Sequence, residues 1–127
     1  KNNLKPCVRL NGTSDIRWEN TGIMDLFPST IFYDYTKHRN RKRLPKNYSL
    51  TFSRSEVTTN EDVDQAINNG MNVAVVFKDR LPLYWNNIPV IDGTTHDLRF
   101  LDPKSCIVGL VAKGTAKKDK TGFVVSP

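Results

Sequence analysis

The side chains best suited to chemistry in this sequence stand where apolar runs give way to turn formers. In chain order these are Asn11, Ser14 and Asp15; Asp34 and Thr36; Ser53 and Arg54; Asp92 and Asp97; then Lys113. Ligands of parallel α/β sheets meet the C-terminal ends of strands. If the runs are neighbouring parallel strands, these groups converge on an acid-rich rim with two cations, suited to a polar metabolite or a metal-phosphate. The plainer alternative is that Asp and Asn at strand ends cap helices and make turns. His96 beside Asp97 has the arrangement of an oriented general base, although a hydrogen-bonded structural histidine is the commoner use of such a pair; with Asp34 from the rim, His96 and Asp97 are the candidates for catalysis. Asn11, Asp15, Ser53, Arg54, Asp92 and Arg99 are the candidate ligand contacts. No Ser or Cys has a nucleophile-elbow context, and neither Gly12 nor Gly93 opens a phosphate-cradling glycine pattern. No metal-ligand spacing rises above chance, and no cofactor is expected.

Charge is the second chemical resource. Lys37, Arg39, Arg41, Lys42, Arg43 and Lys46 lie within ten residues that hold no acid. The chain carries 19 Lys and Arg against 13 Asp and Glu, so setting these six aside leaves 13 of each sign. The sequence therefore reads as a neutral body with one solvated basic loop, residues 37–46. Its Arg-Lys mixture suits forked contacts to phosphate or carboxylate. Tyr33, Tyr35 and His38 precede the loop and Tyr48 follows it, a composition that adds base stacking to phosphate contact.

The elements that must position these groups follow from hydrophobic period. Residues 7–10 read as a strand, 18–27 as a short helix weakened by Gly22 and stopped by Pro28, and 30–35 as a β-branched, aromatic strand. Residues 48–53 alternate as a strand. Thr59 or Asn60 then caps a helix over 60–69, with Glu61, Asp62 and Asp64 in its first turns and Gly70 at its end. NVAVVF, residues 72–77, suits a strand covered on both faces. Strand, helix and strand over 48–77 make one βαβ unit, which forces parallel pairing. Two further apolar runs, Val90 with Ile91 and residues 107–111, flank a polar connection holding His96, Asp97, Arg99 and Asp102. Residues 81–87 read as irregular, carrying Tyr84 and Trp85 onto the core. Residues 114–127 read as a basic tail ending in an exposed apolar triplet, Phe123, Val124 and Val125.

These elements define a single α/β domain over residues 1–127 with a mainly parallel sheet. The length is too short for a complete (β/α) barrel. Hydrophobic content of 38% and charged content of 25% exclude a disordered chain. No apolar run approaches the roughly 20 residues of a membrane span, so the cytosol is the expected compartment. Cys7 and Cys106, each beside apolar residues, read as reduced, buried thiols, with a disulfide between them as the alternative.

The blocks VRLNGTSDIRWE, FPSTIFYDYTK, LPKNYSLTFSRSE, NVAVVF, IPVIDGTTHDLRFLDP and IVGLVAKG resemble, in order and spacing, the phage and plasmid "gene product 88" family. The resemblance as a whole extends over about residues 8–125. The resemblance implies a mobile-element origin and an α/β body in the style of a half-barrel. It also implies longer relatives with clustered cysteines upstream of the matched region, so no cysteine- or metal-dependent activity is expected of this chain. A half-barrel has raw edges that must be paired or covered, which leads to an expected homo-oligomer or a docked host partner. Three function classes follow. The first is a non-catalytic binder of a host protein or nucleoprotein, in the manner of an anti-defence (anti-CRISPR-type) inhibitor. The second is a direct nucleic-acid binder through Lys37, Arg39, Arg41, Lys42, Arg43 and Lys46. The third, an enzyme or metabolite binder at the strand-tip rim, ranks below binding.

Overall fold

The computed structural model describes residues 7–11, 15–41, 44–94, 99 and 102–127, with the side chains of 115 and 116 left aside. The βαβ unit is present as read. Strand β3 (Tyr48–Ser53), helix α2 (Asn60–Asn68) and strand β4 (Asn72–Phe77) follow one another, and β3 pairs parallel to β4. Helix α2 starts with a capping box. Thr59 Oγ1 accepts from the Asp62 amide at 3.1 Å, and Asp62 Oδ2 accepts from the Thr59 amide at 3.0 Å, which satisfies two of the donors a helix start leaves open. Gly70, at φ +92°, turns the chain after the helix, a conformation that favours glycine.

Around this unit the described residues build an eight-stranded sheet. With β1 (Cys7–Val8), β2 (Ile31–Thr36), β5 (Tyr84–Trp85), β6 (Ile88–Asp92) and β7 (Ile107–Val111), its order is β1-β2-β3-β4-β7-β6-β5. All neighbours are parallel except β5 with β6. Strand β8 (Val124–Val125) pairs parallel to β4 at Val76 and Phe77. Because β7 holds one edge of β4 as far as Phe77 and β3 leaves the other at Ala74, β8 occupies the place that β3 vacates.

Period two divides the sheet into faces. In register across one face lie Phe32, Tyr48, Leu50, Phe52, Val73, Val75, Phe77 and Ile107, which form the core with Val63 and Ala66 of α2. Gly109 is needed on that face. A Cβ there would stand 2.8 Å from Val90 Cγ1 and 2.9 Å from Leu81 Cδ2.

Several expectations are corrected. The first strand shrinks to Cys7–Val8 at the sheet margin, so Cys7 is exposed, while Cys106 is buried as read. The helix over 18–27 divides into a 3-10 turn, Trp18–Asn20, and α1, Ile23–Leu26, because Gly22 adopts φ +78° between them. The 81–87 segment contains a strand, β5. Trp85 packs edge-on against Phe77 as expected, but Tyr84 is 66% exposed. The apolar triplet at the tail is half-buried rather than exposed, since β8 joins the sheet.

Candidate functional site

The described candidates do not form one rim. They divide into a closed polar cluster at the β1–β2 margin and an open row of cations along the strand ends.

The cluster is centred on Asp34, which shares the inner face of β2 with Phe32 and has no exposed surface. A buried carboxylate requires hydrogen-bond donors. Asp34 receives the Asn11 amide at 2.8 Å and the Tyr48 hydroxyl at 2.6 Å. Burial, the bond to Asp34 and its charge push the Tyr48 hydroxyl well above its usual range, against the opposing pull of Arg41. Asn11 orders the incoming chain. Its side chain donates to the Ile16 carbonyl at 3.0 Å, and its Oδ1 accepts from Trp18 Nε1 at 2.8 Å.

Arg41 closes the cluster, and this corrects the solvated basic loop. Its side chain is 0% exposed. It grips Glu19 through both Nε, at 2.8 Å, and Nη2. It also donates to Asp15 at 3.0 Å, to the Ile16 carbonyl at 3.2 Å and to the Tyr48 hydroxyl at 3.2 Å. Burial alone would push the Glu19 carboxyl up, but the Arg41 hydrogen bonds, its own backbone and the Arg41 charge hold it below the usual carboxylate range. Burial likewise opposes the charged guanidinium, and the Glu19 hydrogen bond leads the contacts that outweigh it. Asp15 in turn accepts from Thr36 Oγ1 at 2.8 Å and from the Lys37 amide at 2.8 Å, with His38 Nε2 at 3.5 Å. Arg39 reaches the other way, to Asp62 at 3.0 Å and Gln65 at 2.9 Å on α2. The described part of the basic stretch is thus stapled at both sides, leaving Lys37 and Lys46 as its exposed lysines.

With Asp34 sealed and Asp15 engaged, the predicted acid-rich rim is absent among the described residues. Asp92 is exposed but folded back on Thr94, whose hydrogen bonds hold its carboxyl below the usual range. What the strand ends present is positive. Arg9 follows β1, Lys37 follows β2, Arg54 follows β3, Lys78 follows β4, and Lys113 stands two residues after β7. Arg9, Lys37, Lys78 and Lys113 are exposed. Arg9 lies over the Tyr35 ring at 5.2 Å. Arg54 ties down the tail through the carbonyls of Gly122 and Phe123 at 2.8 and 3.0 Å, beneath which it stacks on Trp85 at 5.9 Å. Ser53 ends β3 beside it, half-buried. Next to Lys113, a cleft of about 360 Å³ opens between Val76, Leu110, Phe123, Gly93 and Thr94. Lys117, Lys118 and Lys120 extend the same charge beyond Lys113.

Arg99 is not a rim group either. It is 2% exposed, crosses the outer face of the sheet close to Gly93, and pairs with Asp102 at 3.5 Å. Ser14, His96, Asp97, Lys42 and Arg43 lie outside the described residues. Two members of the cluster, Glu19 and Tyr48, were missed as partners. The signal for them was available: alternation puts Asp34 on the Phe32 face, and a carboxylate placed there demands donors from neighbouring segments.

A mostly parallel α/β sheet, locked at one margin by buried ion pairs and edged with cations at its strand ends, defines the class of protein. Within that class the chain belongs to the Gene product 88 family, whose model matches residues 1–127. Searches of curated proteins and of solved structures give no match. Among the described residues, no helix is long and apolar enough to cross a membrane, and no group of three His, Cys, Asp or Glu side chains is placed to hold a metal ion.

Proposed function

We propose that the chain is a non-catalytic binding protein that engages the phosphate backbone of a nucleic acid, alone or within a host nucleoprotein. One observation supports the reading above the others: a cation follows each of five adjacent parallel strands. Neighbouring strands stand about 4.8 Å apart, so the row extends over roughly 19 Å, comparable to five or six backbone steps of about 3.4 Å in a duplex strand. The apolar cleft beside Lys113 suits a base or a side chain of the partner. Since the family is one of phages and plasmids, defence complexes that carry nucleic acid, in the host cytoplasm, are the first partners to try. A second copy of the chain at the β1 edge, where Val8 is 37% exposed, is compatible with this mode of binding.

Fluorescence anisotropy with short DNA and RNA, single- and double-stranded, tests the proposal across a salt series. Each phosphate neutralised contributes about −0.9 to the slope of log K against log salt on duplex DNA. Replacing Lys37, Lys78 and Lys113 together by Ala should flatten that slope by roughly two to three. Binding that ignores salt, or a slope untouched by the triple variant, argues for a protein partner reached by another surface.

A further inference from the structure

The opposite ends of the same strands hold a separate feature. The segments entering β3, β4 and β7 meet around a pocket of about 240 Å³ whose lining includes Lys46, Ser49, Gly70, Asn72, Asp102 and Lys104. Its walls are pinned by two asparagines. Asn47 Nδ2 reaches the carbonyls of Met24, Phe27 and Thr30 at 3.1, 3.2 and 3.0 Å. Asn72 Nδ2 donates to the Pro103 carbonyl at 2.6 Å, while its Oδ1 accepts from the Cys106 amide at 3.1 Å. Gly70 adds a bare wall, with open space where a Cβ would stand.

The charge inside is one-sided. Asp102 is turned onto Arg99 at 3.5 Å and its side chain is 5% exposed, so that pair cancels within the wall. Lys46 and Lys104, by contrast, are exposed at the mouth. Sites for drug-sized ligands begin at about 300 Å³, which sets this pocket to something smaller. We propose that it binds a small oxyanion, a phosphate or a short carboxylate, held between the Lys46 and Lys104 ammonium groups with the Ser49 hydroxyl as the neutral donor. Ammonium-to-oxyanion hydrogen bonds are among the stronger ones available to a protein, and with the walls already pinned the ordering cost falls on the two lysine side chains alone. This site is independent of the cationic strand ends, which lie across the sheet.

Amide NMR on the full chain tests it, with sodium phosphate and sodium malonate titrated against sodium chloride at matched ionic strength. The expected result is saturable shifts at Ser49, Gly70 and Lys104 in phosphate that chloride does not reproduce. Saturation by malonate as well assigns the site to oxyanions in general; saturation by phosphate alone narrows it to phosphoryl groups. The double variant Lys46→Gln with Lys104→Gln should weaken binding about tenfold or more, while Lys46→Arg with Lys104→Arg retains it. Linear shifts matching chloride, or an unchanged affinity in the Gln variant, overturn the proposal. Shifts confined to Lys37, Lys78 and Lys113 overturn it too, and leave the strand-end reading standing.

Discussion

The margin of the sheet at β1 and β2 and its centre at β4 and β7 are both buried, by opposite means. At the centre, Val73, Val75, Phe77 and Ile107 are fully buried among apolar neighbours. At the margin, Asp34 and Arg41 are just as inaccessible, yet they are ionisable and are held by directed hydrogen bonds. Apolar packing is non-directional and yields by degrees. A buried ion pair is different: it adds little over an apolar substitute, but removal of one partner leaves a charge stranded. Two regions of equal burial should therefore fail in different ways.

The margin should give the largest effect. Arg41→Ala strands Glu19 and removes donors from Asp15 and the Tyr48 hydroxyl, a loss of about 3–5 kcal/mol by the usual cost of breaking a buried pair. Chemical denaturation checks this, and pairing the change with Glu19→Gln should recover part of the loss. Full stability in Arg41→Ala would return the residue to the solvated loop that sequence composition suggested. At the centre, Gly109→Ala pushes a methyl against Val90 and Leu81, which should cost about 1–3 kcal/mol by overpacking. Trimming Leu81 to Ala in the same chain should relieve part of it, a rescue that works by making room rather than by removing a stranded charge.

The smallest effect separates the regions by pH. Glu19 has a carboxyl held below its ordinary value near 4.5 in the folded state. Below that value the unfolded chain binds the extra proton, so stability is full above about pH 5 and declines as pH falls toward the folded value. Thermal midpoints measured through that range should decline less steeply in Glu19→Gln than in the parent chain. Parallel curves for the two proteins would mean that Glu19 does not couple the margin to pH.

Much of this division was legible in the sequence, and the rest was hidden for a physical reason. The β3-α2-β4 unit could be read because period, cap and glycine stop all agree locally: Thr59, Asp62 and Gly70 act within a few residues of where they stand. The polar groups were assigned to the right elements but to the wrong side of the surface. Arg41 looked solvated because no acid lies nearby in sequence, whereas Glu19 and Asp15 reach it from 22 and 26 residues away. Local composition is silent about such partners. Asp34 was recoverable, since strict alternation with Phe32 turns it inward. Cys7 was not, because nothing in PCVRL tells a two-residue marginal strand from a central one.

Strand β8 has a consequence in time. Arg54 finds its carbonyl partner at Gly122, 68 residues further along the chain. Strand β8 likewise follows the edge of β4 that it covers by 48 residues, from Val76 to Val124, and at the usual 5–20 residues per second of synthesis that lag is roughly 2–10 s. For that interval β3, α2 and β4 have emerged while the edge of β4 at Val76 and Phe77 awaits the strand that covers it. A nascent chain on a crowded message therefore displays an open, parallel-accepting edge, and the β8 of a neighbouring copy carries the same Val124 and Val125 that fit it. The order of synthesis thus makes the last described strand a point at which two growing copies can exchange.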